Sequence, residues 1–150
     1  MCGIFGILDI KTDVTELRTQ ALELSKLLRH RGPDWSGIWN NNNAILSHER
    51  LAIVDVDTGA QPLISRNNNH VLAVNGEIYN HEELRTKLIS LGYKFYSKND
   101  TEVIANAYHY WGETFLKKLR GQFALVVYDK IKHDLIIARD EDGISPLYYS

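Results

Sequence analysis

Met1-Cys2-Gly3-Ile4-Phe5-Gly6-Ile7-Leu8 opens the chain, and Asp9 interrupts the apolar run. β-Branched and aromatic side chains mixed with glycine mark a buried strand from Cys2 to Ile10, starting at the terminus itself. The run lacks a basic leader and a small-residue cleavage site, so it does not read as a secretory signal. Its second residue is the only cysteine among the 150 residues. An intramolecular disulfide is therefore excluded, and a reducing, cytoplasmic compartment fits.

Outward from this strand, Thr15 can cap a helix to about His30, with Leu17, Ala21, Leu24, Leu27 and Leu28 on one face. Arg31-Gly32-Pro33-Asp34 stops it, because proline and the residue before it disfavour continued helix. Trp35 to Trp39 and Ala44 to Val54 read as strands joined by the turn Asn40-Asn41-Asn42-Asn43. Asp55 to Asn69 reads as loop, and Val71 to Val74 as a buried strand delivering Asn75-Gly76-Glu77. Asn80, with Glu83 three residues on, predicts a capped helix carrying Leu84, Leu88 and Leu91. Asp100 predicts the start of another, through Val103, Ile104, Ala107, Tyr108 and Trp111. Gln122 to Tyr128 and Asp134 to Arg139 close the pattern as strands, the first fully apolar over Phe123 to Val127 and so covered on both faces. Antiparallel-looking strands with helices grouped between them predict an α+β architecture, two sheets face to face with helices outside. No internal repeat or linker divides the chain.

Composition narrows the function. A net charge of -2, with 17 basic and 19 acidic side chains, gives no electrostatic reason to expect nucleic acid or an anionic membrane. No apolar run is long enough to span a bilayer. The six histidines show no H-E-x-x-H spacing, and one cysteine cannot build a thiolate zinc site, so no metal is expected. Neither glycine-rich phosphate loop pattern occurs.

The chemistry concentrates at the terminus. Aminopeptidases remove an initiator methionine that precedes a small residue, which would leave Cys2 with a thiol and a free α-amine. A free thiol ionises near pH ~8.5 and needs a base to act as a nucleophile at neutral pH. An α-amine, with pKa about 7.7–8.0, can take that proton and later return it. One residue can thus supply nucleophile and base, as in N-terminal threonine enzymes. The competing reading of Cys2 is a small buried hydrophobe. Acyl transfer also needs oxyanion donors, which the Asn75 amide and Gly76 N–H could provide, although Asn-Gly alone is a tight-turn signal. Arg50 is a candidate for a substrate carboxylate, and Glu77 and Asp100 for an ammonium. Their rivals are surface charges for Arg50 and Glu77 and a helix cap for Asp100. A Cys2–His dyad with His30 or His48 stays open.

Several blocks then fall in a fixed order: Met1-Cys2-Gly3-Ile4-Phe5-Gly6, Arg29-His30-Arg31-Gly32-Pro33-Asp34, Ser47 to Asp55, Asn75-Gly76-Glu77-Ile78-Tyr79-Asn80, Asn99-Asp100-Thr101-Glu102, and Arg139-Asp140 with Gly143 and Pro146-Leu147-Tyr148. Together they resemble the class II glutamine amidotransferases of the N-terminal nucleophile hydrolase superfamily. Within that class they are most similar to the glutaminase domain of glutamine-hydrolysing asparagine synthetases. The resemblance implies a four-layer αββα sandwich over residues 1–150, C-terminally truncated, with the ATP- and Mg²⁺-dependent synthetase domain absent. It implies that Cys2 attacks L-glutamine, with Asn75 and Gly76 as the oxyanion hole and no cofactor in this chain. Arg50 would hold the α-carboxylate, Glu77 and Asp100 the α-ammonium, and Ile53 and Val54 would line the pocket through their backbone. Arg31 to Asp34 would shape the loop over the site. A synthetase domain or subunit is the implied partner, and a homodimer is compatible with it. The alternative is a non-catalytic fragment that binds glutamine or a partner and regulates it.

Overall fold

Eleven elements follow in chain order in the computed structural model, which describes residues 1–52 and 59–150. They are β1 (Gly3–Leu8), α1 (Val14–Lys26), β2 (Trp35–Asn40), β3 (Ala44–Arg50), β4 (Leu63–Ile64), β5 (His70–Ile78), α2 (His81–Ser90), α3 (Asp100–Trp111), a 3₁₀ segment (Gly112–Lys118), β6 (Gly121–Asp129) and β7 (Asp134–Arg139). One sheet has the order β1-β3-β2 and the other β4-β5-β6-β7, with every pairing antiparallel.

Side-chain alternation along the strands builds the layers. Ala44 and Leu46 of β3 meet Val71, Val126 and Tyr128 in a core between the sheets. Leu72, Val74 and Ile78 of β5 point the other way, into a larger core with Leu84 and Leu88 of α2 and Val103, Ile104 and Tyr108 of α3. Helix α1 packs on β1 and β3 across the outer face of the first sheet. The result is helix, sheet, sheet, helix, the αββα order expected from the sequence. The fully apolar stretch of β6 is buried on both faces because it lies between these two cores.

Local chemistry moved several boundaries. The cap of α1 is Asp13, whose carboxylate accepts the Thr15 N–H at 2.6 Å, and α1 ends at Lys26. Asn41 Oδ1 accepts the N–H groups of Asn43 and Ala44 at 2.9 and 2.8 Å, so the asparagine run is a side-chain-held hairpin turn. Asn80 does not cap α2 with its side chain. Its amide instead donates to the Lys118 carbonyl at 2.9 Å and accepts the Arg120 N–H at 2.9 Å. Asn99, not Asp100, caps α3 by accepting the Thr101 N–H at 2.8 Å. That shift of one residue releases the Asp100 carboxylate for the site below.

Candidate active site

Cys2 precedes β1 at the end where β3 leaves its sheet, and its side chain is partly exposed. The Leu51 N–H donates to Cys2 Sγ at 3.3 Å, and the thiol donates to the Leu51 carbonyl at 3.7 Å. Arg31 Nε donates to the Cys2 carbonyl at 3.1 Å. The Arg31 to Asp34 turn also grips the exit of β3. Asp34 N–H donates to the Arg50 carbonyl at 3.0 Å, and Asp34 Oδ2 accepts the Ala52 N–H at 2.8 Å. A Cβ on Gly32 would lie 2.1 Å from the Glu49 carbonyl oxygen, so only glycine permits this approach. The turn therefore ties down the Cys2 backbone and the exit of β3.

The Asn75-Gly76 pair is no turn. It lies inside β5, opposite Ala124 and Phe123 of β6. β6 pairs with β5 along its whole length, whereas β4 reaches only Val71 and Leu72 on the other edge. Beyond that point side chains replace a strand. Gln61 Oε1 accepts the Val74 N–H at 2.7 Å, His48 Nε2 donates to the Val74 carbonyl at 2.9 Å, and Asp100 Oδ2 accepts the Ile78 N–H at 3.1 Å. Alternate residues of an antiparallel strand turn their backbone groups to the same edge. Gly76 lies between Val74 and Ile78 in that alternation, so its N–H faces the same open edge. Phe123 confirms this by turning its own N–H and carbonyl to Asp140, at 3.1 and 2.8 Å. Among the described residues no group accepts the Gly76 N–H.

That edge borders a cleft lined by Met1, Cys2, Arg50, Gly76, Glu77 and Asp100, together with Leu51, Gln61, Val74, Asn99 and Gln122. Arg50 is only 7% exposed, so it is not a surface charge. A Cβ on Gly59 would lie 2.1 Å from Arg50 Nη2 and 2.8 Å from Asn99 Nδ2, so this buried glycine makes room for the guanidinium. Asn75 is 5% exposed, and its Oδ1 is buried without a hydrogen-bond partner among the described residues. It lines, again with Cys2, a second cavity that includes Gly3, Ile4, Leu28 and Arg31. Cys2 thus lines both cavities, one together with Gly76 and the other together with Asn75. Ile53 and Val54 lie outside the described residues. Gln61 went unmarked in the sequence reading, since no local pattern separates a cleft-lining amide from a loop amide, and Leu51 and Asn99 entered it only within longer blocks, with no role at the site.

His48 and His30 part company. His30 is exposed, with Nδ1 2.9 Å from the Leu27 carbonyl oxygen. His48 is fully buried, and burial pushes its pKa down to about 4, against the opposing pull of its bond to Val74. Among the described residues both hydrogen bonds of Cys2 Sγ go to Leu51, so neither histidine forms the dyad.

A pH dependence follows. An unfolded imidazole ionises near ~6.5, so between that pH and about 4 the unfolded chain binds a proton that the folded chain refuses. Stability contributed by neutral His48 is complete above the unfolded value and falls as pH falls through this window. Urea titrations should show roughly 2 kcal/mol less stability at pH 5 than at pH 8 from this residue. His70, lowered mainly by burial, adds a slope of the same sign. His48→Gln should flatten the dependence, and an unchanged slope would assign it to other groups.

An αββα sandwich with a cysteine at the head of its first strand, lining one cleft with a glycine whose N–H is unpaired among the described residues, is the arrangement of the N-terminal nucleophile class of amidotransferases. Residues 1–150 match the glutamine amidotransferase domain family, and the chain belongs to it. It is 57% identical over 148 residues to asparagine synthetase B (glutamine-hydrolyzing) of Escherichia coli strain K12, covering 99% of this chain and 26% of that protein. It is 48% identical over 149 residues to a probable glutamine-hydrolyzing asparagine synthetase of Dictyostelium discoideum, covering 99% of this chain and 27% of that one. The chain therefore spans about a quarter of the length of these curated relatives. Among solved structures, glutamine phosphoribosylpyrophosphate amidotransferase of B. subtilis superimposes with a TM-score of 0.58 at 28% identity, over 69% of this chain and 24% of that one.

Proposed function

We propose that the chain hydrolyses L-glutamine to glutamate and ammonia at Cys2. The ammonia then serves ATP- and Mg²⁺-dependent amidation of aspartate to asparagine, in a synthetase domain or subunit outside these residues. The observation that carries this reading is the open β5 edge, where the Gly76 N–H faces the cleft that Cys2 lines.

Removal of Met1 exposes the Cys2 α-amine, which takes the thiol proton as Sγ attacks the side-chain amide carbon of glutamine. Negative charge builds on the amide oxygen, where the Gly76 N–H and the Asn75 amide stabilise it by roughly 2.7–4 kcal/mol each. The ammonium form of the α-amine returns the proton to the leaving nitrogen, and ammonia departs. Water, deprotonated by the same amine, attacks the thioester and releases glutamate with the regenerated thiol. Arg50 meets the substrate α-carboxylate, and Glu77 and Asp100 meet its α-ammonium. The chain itself needs no cofactor for this chemistry. A cytoplasmic location belongs to the same reading, supported by the lone thiol that must stay reduced.

Steady-state kinetics of glutamate release test the reading. A planar guanidinium can engage a carboxylate through two parallel bonds, which an ammonium cannot. Arg50→Lys should therefore raise KM for glutamine by about 50-fold while kcat changes by less than about five-fold. Wild-type chain that binds glutamine without releasing glutamate would favour the non-catalytic alternative instead.

A further inference from the structure

We infer that His48 and Gln61 are positioning residues for the oxyanion cradle, clamping the two peptide planes that flank Val74 from a sheet edge where no strand among the described residues holds them. The inference rests on the glutaminase reading above and deepens it. Val74 immediately precedes Asn75 and Gly76, so any rotation of its peptide planes re-aims both donors. Its N–H is held by Gln61 Oε1 at 2.7 Å and its carbonyl by His48 Nε2 at 2.9 Å, both side chains being buried. These two bonds supply on the open edge what a neighbouring strand supplies elsewhere in the sheet.

The two residues reach Val74 from different directions. His48 sits in the middle of β3, opposite Ile4 of β1 and Gly37 of β2, and crosses the space between the sheets. Gln61 comes from the segment that leads into β4. The clamp therefore ties two other parts of the fold to the two peptide planes that flank Val74.

His48 is poorly explained as mere filling. Its neutral ring donates through Nε2, which leaves Nδ1 as an acceptor, and Nδ1 is buried without a partner among the described residues. An apolar side chain would avoid that desolvation penalty. The bond to Val74 is what the imidazole adds. Gln61 likewise spends its buried acceptor oxygen on a backbone N–H at the floor of the cleft. Small misplacements of transition-state donors reduce rate much more than binding.

The test compares Gln61→Leu and His48→Phe, which remove the clamp, with Gln61→Glu and His48→Gln, which keep an acceptor and a donor. In Gln61→Leu, amide exchange followed by NMR should accelerate at least about ten-fold at Val74, while Ala73 and Asn75, which face β6, stay protected. Glutamine kcat should fall about 30- to 100-fold in both clamp-removing variants, with KM within about three-fold. Alkylation of Cys2 by iodoacetamide, a displacement that forms no oxyanion, should stay within about two-fold of wild type. His48→Gln should recover at least about one third of wild-type kcat. Unchanged Val74 exchange overturns the clamp whether or not the chain is an enzyme. Unchanged kcat in an active chain overturns its positioning role, and so does parallel loss of kcat and alkylation. Wild-type chain without glutaminase activity overturns the reading of the site, and the exchange arm then decides the clamp by itself. If His48→Phe does not fold, Gln61→Leu carries each arm.

Discussion

Cys2→Ala should abolish glutamate release, lowering kcat by at least roughly 10⁴-fold while glutamine binding stays within about three-fold. The split is expected because the groups assigned to the substrate's charged end, Arg50, Glu77 and Asp100, belong to other strands and a helix and do not depend on the sulfur. Cys2→Ser keeps a nucleophilic atom in place, yet a hydroxyl is far harder to deprotonate by an α-amine than a thiol, so it should be nearly as inactive. Isothermal titration with glutamine, beside a coupled glutamate assay, separates the two effects. Persisting turnover in Cys2→Ala would remove the covalent mechanism altogether.

Gly76→Ala should lower folding stability by about 4 kcal/mol, the combined scale of backbone strain and overpacking. Gly76 sits at φ 137°, and an added Cβ would lie 1.9 Å from the Gln122 carbonyl oxygen and 2.7 Å from Phe123 Cα. Both obstacles are backbone of the paired strand β6, so no side chain can swing aside. Gly92 provides the control: its φ is 93°, but nothing lies within 4 Å of its added Cβ. Gly92→Ala should therefore cost only about 1 kcal/mol. Urea unfolding of the two variants measures the difference directly. Equal losses would show that the β5–β6 approach at Gly76 is not rigid, and would weaken its role in aiming the N–H.

Much of this was legible in the sequence because alternation and capping act locally. The apolar run Phe123 to Val127 announced a strand buried on both faces, and the layers bear that out. The asparagine turn between Trp39 and Ala44 likewise needed only local chemistry. Asn75-Gly76 was ambiguous for a physical reason. The same pair that suits a tight turn also suits a strand position where the partner backbone comes too close for any Cβ, and only the long-range contact with Gln122 decides between them. Asp100 was legible as a residue of interest, but its freedom to reach Ile78 depended on Asn99 taking the cap, a choice one residue wide. Arg50 could be told from a surface charge only by its burial, which depends on Gly59, nine residues on. Gln61 and His48 carried no local signal, since their partner is a backbone unit of another strand. The block pattern across the whole chain supplied the class of site before any of these contacts could.

The most direct test of the central claim is the intact mass of the active chain, taken before and after treatment with a ketone electrophile built on the glutamine skeleton. The expected spectrum shows a chain lacking Met1, then a single adduct on Cys2 that excess glutamine prevents, with activity lost in proportion to the adduct. Chains that turn over glutamine with Met1 still attached, or an inactivating adduct on any residue other than Cys2, would contradict a nucleophile and base shared by one terminal residue.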